Sequence, residues 1–272
     1  MRRWTVVRTI GLATAAVVAV GVVYELPASP LSRHGDLGRN VVPTSVRTTA
    51  PSLESPAVAP RRTTKPVVPA EVISYPIAGS RSYAVLPADP AVIGRAGRLM
   101  TFQIAIEGGI TGVDKTALAR FVRTTYGAPQ GWASRGKWRF EQVGPGATPD
   151  FRLMLVTPQT RDVICGGGPD RYTSCRIGDS VVLNVARWAH GAPNFGASLT
   201  TYRQYMVNHE TGHRLGNGHE LCPGPGQPAP VMQQQTLGLH GCTAYAWPYL
   251  NGARYSGRLG QYNDPVPGGR VR

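Results

Sequence analysis

The sequence predicts an α+β fold: a mixed twisted sheet carrying two main helices, followed by an irregular C-terminal portion. Three observations predict it. A strand-like alternation is followed at once by a helical stripe, several further strand-like runs come before a second helix, and what lies beyond that helix is rich in Pro and Gly with no sustained apolar period.

The elements follow in chain order. Alternation in Leu99 to Glu107 (LMTFQIAIE) reads as a strand. Asp114 is an N-cap residue type ahead of a helix over Lys115 to Tyr126, where Leu118, Phe121, Val122 and Tyr126 fall on one stripe. Trp138 to Val143, Phe151 to Val156 and Ser180 to Trp188 are rich in β-branched, aromatic and aliphatic residues and read as three more strands. Between Cys165 and Cys175 the turn formers of CGGGPDRYTSC predict a stapled surface loop. The second main helix is expected from about Ser198 to Leu215, and no internal repeat is present.

Composition divides the 272 residues near position 72. From Glu25 to Ser74 there is no aromatic residue, while Pro27, Pro30, Pro43, Pro51, Pro56, Pro60, Pro66 and Pro69 interrupt a background of Ser, Thr, Ala and Arg. Such a segment cannot bury enough apolar surface to offset its ordering entropy, so residues 25–71 read as an extended linker. Residues 72–263 suffice for one domain with its own core, and 264–272 read as a flexible tail. The net charge of +14 is shared by both parts, with nine Lys/Arg against three acidic groups in the first 70 residues. A basic surface favours anionic partners such as a cell-wall polymer, but no Lys/Arg run is interleaved with aromatics, which argues against nucleic acid. A monomer is expected.

Residues 1–24 read as an address. Arg2, Arg3 and Arg8 precede an uncharged apolar run from Thr9 to Tyr24, the pattern of an export signal whose start stays in the cytoplasm. The run is long for a cleaved signal and short for a full span, so an uncleaved membrane anchor and a cleaved signal both remain open. Either places the domain outside the cytoplasm. Four cysteines agree with an oxidising compartment. Four allow three pairings, and the local ones, Cys165 with Cys175 and Cys222 with Cys242, are the natural expectation.

Residues 209 to 219 read HETGHRLGNGH, an HExxHxxGxxH pattern. On a helix His209 and His213 stand one turn apart on the same face, so two imidazoles can converge on one ion. A catalytic zinc site typically uses three protein ligands and leaves a fourth position for water. Gly216 can take the left-handed conformation, end the helix and turn the chain back, bringing His219 in as the third ligand. Glu210 would then lie beside the ion, placed to accept a proton from water activated by Zn2+. From this chain's own residue frequencies, HExxH arises by chance in roughly three sequences per thousand and the eleven-residue form in about one per hundred thousand. The longer form therefore carries the inference.

That extended motif resembles the metzincin clan of zinc peptidases, which share a methionine-containing turn beneath the metal. Pro230-Val231-Met232-Gln233 stands where such a turn belongs, and the resemblance implies that Met232 forms an apolar floor under the imidazoles without binding the ion. Glu220 is similar to the residue that astacin-type members carry after the third histidine, where its role is structural. The segment from His209 to Thr236 further resembles a family of secreted bacterial proteins with a domain of unknown function. The likeness spans roughly residues 72 to 262, with its specific motifs between His209 and Met232. One departure stands out: astacin-like and serralysin-like members place a tyrosine two residues after the turn methionine, and here that residue is Gln234. Any additional oxyanion donor would have to be another group, such as Gln233, Tyr245 or His240. His34 and His190 read as unrelated to the site.

The resemblance implies an extracytoplasmic zinc endopeptidase with a metzincin-like fold, peptide or protein substrates, and Gln233 to Leu239 shaping the pocket beyond the cleaved bond. Two other readings stay open: a zinc amidase acting on peptidoglycan, and a wall-associated binding domain in which zinc is only a staple.

Overall fold

The strand pattern becomes one seven-stranded mixed sheet in the computed structural model, which describes residues 72–267. The expected signal or anchor (1–24), the whole of the linker (25–71) and His34 lie outside the described residues. Among the described residues no helix is long and apolar enough to cross a membrane.

Thirteen elements follow one another: β1 (Tyr83–Val85), β2 (Asp89–Ile93), β3 (Arg98–Glu107), α1 (Lys115–Gly127), β4 (Trp138–Gln142), β5 (Phe151–Val156), α2 (Pro158–Cys165), β6 (Cys175–Ile177), β7 (Ser180–Asn184), α3 (Val185–His190), α4 (Leu199–Arg214), β8 (Tyr249–Leu250) and β9 (Ala253–Arg254). The strand order is β2-β4-β3-β5-β7-β6. Its centre is parallel, from β4 through β3 and β5 to β7, and antiparallel β2 and β6 form the two edges. The ten-residue β3 organises the sheet: β5 pairs with Phe102–Ile106 along one flank, while β4 (Arg98–Phe102) and β1 (Ala105–Glu107) share the other.

Successive strand side chains point to opposite faces, and both faces are buried. Phe102, Ile104, Ile106, Phe151, Leu153, Leu155, Val181 and Leu183 join the main core with residues of α1 and α4. Ala105, Met154, Val156 and Val182 form a smaller core on the other face, covered by Ile164 and Cys165 of α2. Within the main core Phe102 stacks on Phe151 with ring centroids 5.6 Å apart and meets Tyr126 edge-on at 5.3 Å. That packing anchors α1 to the sheet through Tyr126, and α1 in turn supports α4.

The expected elements fall close to their positions, with Asp114 capping α1 by accepting from the Ala117 amide at 2.9 Å. The run Ser180 to Trp188 is the main exception. It is a strand only to Asn184, whose side chain accepts from the Ala186 amide at 3.0 Å and starts α3. A side-chain cap thus cuts an apolar run that period alone joins into one element. Only Cys165 of α2 falls in the segment read as a loop, and this helix was not expected from the sequence. Pro158 opens it at a position where the missing N–H costs nothing. The stapled segment consequently begins on a helix end and finishes on an edge strand. β1 and β2 escape sequence reading because they are short, and Pro90 interrupts β2.

The two disulfides pair Cys165 with Cys175 and Cys222 with Cys242. Among the described residues beyond α4 the chain is irregular apart from the two-residue strands β8 and β9. The residues assigned to a flexible tail do not all behave as one: Asp264 forms an ion pair with His240 at 2.7 Å, so a packed wall continues past position 263.

Candidate metal centre

α4 begins at Ser198, whose hydroxyl accepts from the Thr201 amide at 3.1 Å, and it runs with its second half buried. Three contacts fix its rotation. Tyr126 Oη and Thr211 Oγ1 share a hydrogen bond at 2.9 Å, the Trp132 indole donates to Asn208 O at 2.9 Å, and Asn208 Nδ2 donates to Ala246 O at 2.8 Å. With those positions locked inward, His209 and His213 face the opposite way, into a cleft of 780 Å³.

The helix ends at Gly216, with φ of +90° in open space. The Asn217 amide donates to Gly212 O at 3.0 Å and the Gly216 amide to His213 O at 3.1 Å, the paired bonds of a Schellman motif. The chain turns back within three residues, and His219 joins the first two histidines. Nε2 of His213 stands 3.2 Å from that of His209 and 3.1 Å from that of His219. One ligand atom from each of the three lies within 4.8 Å of the others.

The far nitrogen of each ring determines what these near nitrogens can do. His209 Nδ1 faces Val231 O at 2.8 Å, His213 Nδ1 faces Asn217 O at 2.9 Å, and His219 Nδ1 faces Gln261 Oε1 at 2.9 Å. All three partners are acceptors, so each Nδ1 carries the proton and each Nε2 presents a lone pair. Burial pulls the His209 pKa well below its usual range, helped by the neighbouring rings, and that of His213 down to about 4. Three lone pairs meeting with no donor among them fit a metal cation.

Glu210 is buried beside His209 and lines the same cleft. Burial pushes its carboxyl up to about 8, opposed by the guanidinium groups of Arg161 and Arg176. A divalent ion nearby would add to that opposition and favour the carboxylate.

The turn after the motif packs against the helix that carries the histidines. Met232 is fully buried, and a Cβ placed on Gly212 would overlap its sulfur and press on Trp132. Val231 O receives His209, and Met232 O receives the Glu220 amide at 3.1 Å. Glu220 is itself buried and bonded to Arg254 at 2.8 Å, so it braces the C-terminal portion and stands apart from the cleft lining.

The other sequence candidates divide clearly. Gln234 lines the cleft, whereas Gln233, Tyr245 and His240 do not. Gln233 Nε2 donates to Gly238 O and Leu239 O, fixing the loop after the turn. The Tyr245 hydroxyl donates to Tyr249 O at 2.8 Å, and His240 stacks on Tyr262 while paired with Asp264. His190 packs near Tyr75, away from the triad. Sequence reading passed over Arg161, Arg176 and Gln261, because no spacing rule ties them to the motif.

A family profile described as "Protein of unknown function (DUF3152)" matches residues 70–251. Neither curated proteins nor solved structures give a match. Two thirds of the chain, including the three histidines, Glu210 and Met232, fall within that match, and the chain belongs to the DUF3152 family.

Proposed function

We propose that this chain is a metzincin-like zinc endopeptidase acting outside the cytoplasm. The observation that carries the proposal is the convergence of three imidazole Nε2 atoms next to a buried carboxylate in an open cleft. Nitrogens sharing a tetrahedral zinc at about 2.0–2.1 Å stand roughly 3.3 Å apart. The spacings of 3.2 and 3.1 Å are in keeping with that. Three ligands and access to solvent favour a catalytic site over a structural one, which is closed by four protein ligands. The two disulfides support export, and the N-terminal segment would supply the signal or anchor.

His209, His213 and His219 would hold the ion, which when bound acidifies a water molecule and polarises a carbonyl. Glu210 takes the proton from the attacking water and returns it to the leaving amine, as a general base and then a general acid. The second contribution of the chain is preorganisation. Val231 O, Asn217 O and Gln261 fix the rings before any ligand arrives, and Met232 fills the space behind α4, leaving the ligand-bearing face no room to collapse backwards.

The test is metal content and proteolysis of the full chain against its Glu210→Gln variant. The proposal expects about one zinc per chain in both and a loss of roughly 10²–10⁴ in cleavage rate in the variant. Absence of bound metal, or cleavage that survives the substitution, overturns it. Hydrolysis of purified wall peptides but not of an unfolded protein would move the reading to an amidase.

A further inference from the structure

The charged groups lining the cleft differ in how they are satisfied. Arg161 is nearly buried and reaches Asp162 at 3.2 Å and Asp170 at 2.8 Å. Asp170 also accepts from the amides of Tyr172 and Thr173 at 2.8 Å, so this pair is internally compensated. Asp264 is matched by His240. Glu210 is committed to proton transfer in the reading above.

Arg176 is different. It lies on β6, the edge strand of the sheet, paired through its backbone with Val181 of β7. Its side chain is exposed and lines the cleft. One guanidinium nitrogen donates to His213 O at 3.0 Å, which holds the head group at the end of α4 beside a histidine of the triad. Among the described residues no carboxylate lies within ion-pair distance of it. A guanidinium anchored by one N–H keeps its remaining donors in a fixed fork that matches a carboxylate.

We propose that Arg176 is a specificity-determining residue that recognises a carboxylate on the bound peptide, so that the site prefers anionic peptides. The inference rests on the peptidase reading for its substrate class, while the recognition itself depends only on the cleft. The carboxylate can come from an Asp or Glu side chain near the cleaved bond or from a free C-terminus. Either source presents two oxygens to the same fork. Arg176 and the three histidines line the same cleft, so the selected charge lies on a ligand bound in it.

Calorimetry on the zinc-loaded full chain carrying Glu210→Gln, which cannot consume its ligand, separates the possibilities. The probes are acetyl-Ala-Glu-Ala-amide, acetyl-Ala-Gln-Ala-amide and acetyl-Ala-Gln-Ala with a free terminus. Recognition of a side chain makes the first bind roughly tenfold more tightly than the second, and recognition of a terminus does the same for the third. Adding Arg176→Gln removes the preference and Arg176→Lys restores part of it, with only a small fall in melting temperature, because the exposed side chain gives up a single hydrogen bond to His213 O. Equal binding of the three probes, or a preference that survives Arg176→Gln, overturns the proposal. If the wild type cleaves no peptide yet the Arg176-dependent preference is measured, the peptidase reading falls and the recognition stands.

Discussion

Met232 and Gly212 are in contact beneath the histidine triad: the methionine sulfur occupies the space that a side chain at 212 would need. The glycine inside the HETGH segment is therefore a packing requirement. Alanine would gain about 1 kcal/mol of helix propensity. It would also force the fully buried methionine and Trp132 apart, an overpacking cost of typically 1–3 kcal/mol. Gly212→Ala is expected to lower stability by about 1 kcal/mol net and to weaken metal binding, read by chemical denaturation and chelator competition. A stabilised variant would show that Met232 can move aside.

Gln261 is the only side chain among the three acceptors that hold the histidine rings, the other two being backbone carbonyls. Groups that orient a metal-bound imidazole typically contribute 10–100-fold to metal affinity. Gln261→Ala is expected to weaken zinc binding by about tenfold, while Gln261→Glu, which keeps an acceptor, retains it. Competition with a chromogenic chelator measures both. Equal affinity in all three proteins would leave His219 positioned by its backbone alone.

In the metal-free protein, His209 and His213 have pKa values lowered by burial, that of His213 to about 4 against 6.5 for an exposed histidine. A lowered folded pKa means the unfolded chain binds more protons, so stability falls as pH drops from about 6.5 towards 4. The slope approaches 1.4 kcal/mol per pH unit for each such histidine. Glu210, raised to about 8 by burial, contributes a slope of opposite sign over the same range, so denaturant midpoints of the chelator-treated Glu210→Gln chain, measured between pH 7 and 5, test the sign. Flat stability across that range would place both rings in water.

The disulfides close loops of different position but similar entropy, with sequence separations of 10 and 20. In the chain-entropy model each stabilises by about 3 kcal/mol. Their local consequences differ. Cys165–Cys175 ties the end of α2 to β6 and thus to Arg176, whereas Cys222–Cys242 closes the segment that carries Met232. Replacing either pair by serine is expected to lower stability by about 3 kcal/mol. Only loss of the 222–242 bridge is expected to weaken metal binding, again by chelator competition.

Fold and site were legible wherever the determining contacts are local. Asp114 and Ser198 are helix caps, and each bonds an amide three residues on. His209 and His213 are joined by one helical turn, and Gly216 by the left-handed turn that closes the helix. The strand Ser180 to Asn184 was overextended because Val185 continues its apolar run, and the competing signal is the single capping side chain of Asn184.

What the sequence by itself determined is the constellation that depends on spacing, three histidines and an adjacent glutamate. The burial of Met232 is only implied by a resemblance, and three cysteine pairings stay open, until the fold settles both. Tertiary structure alone decided which groups hold and charge that constellation. Gln261 reaches His219 across 42 residues, Val231 O reaches His209 across 22, and Arg176 reaches His213 O across 37. Such pairs carry no period and no required residue type. They exist because the sheet edge, the end of α4 and the returning C-terminal chain are packed around one cleft.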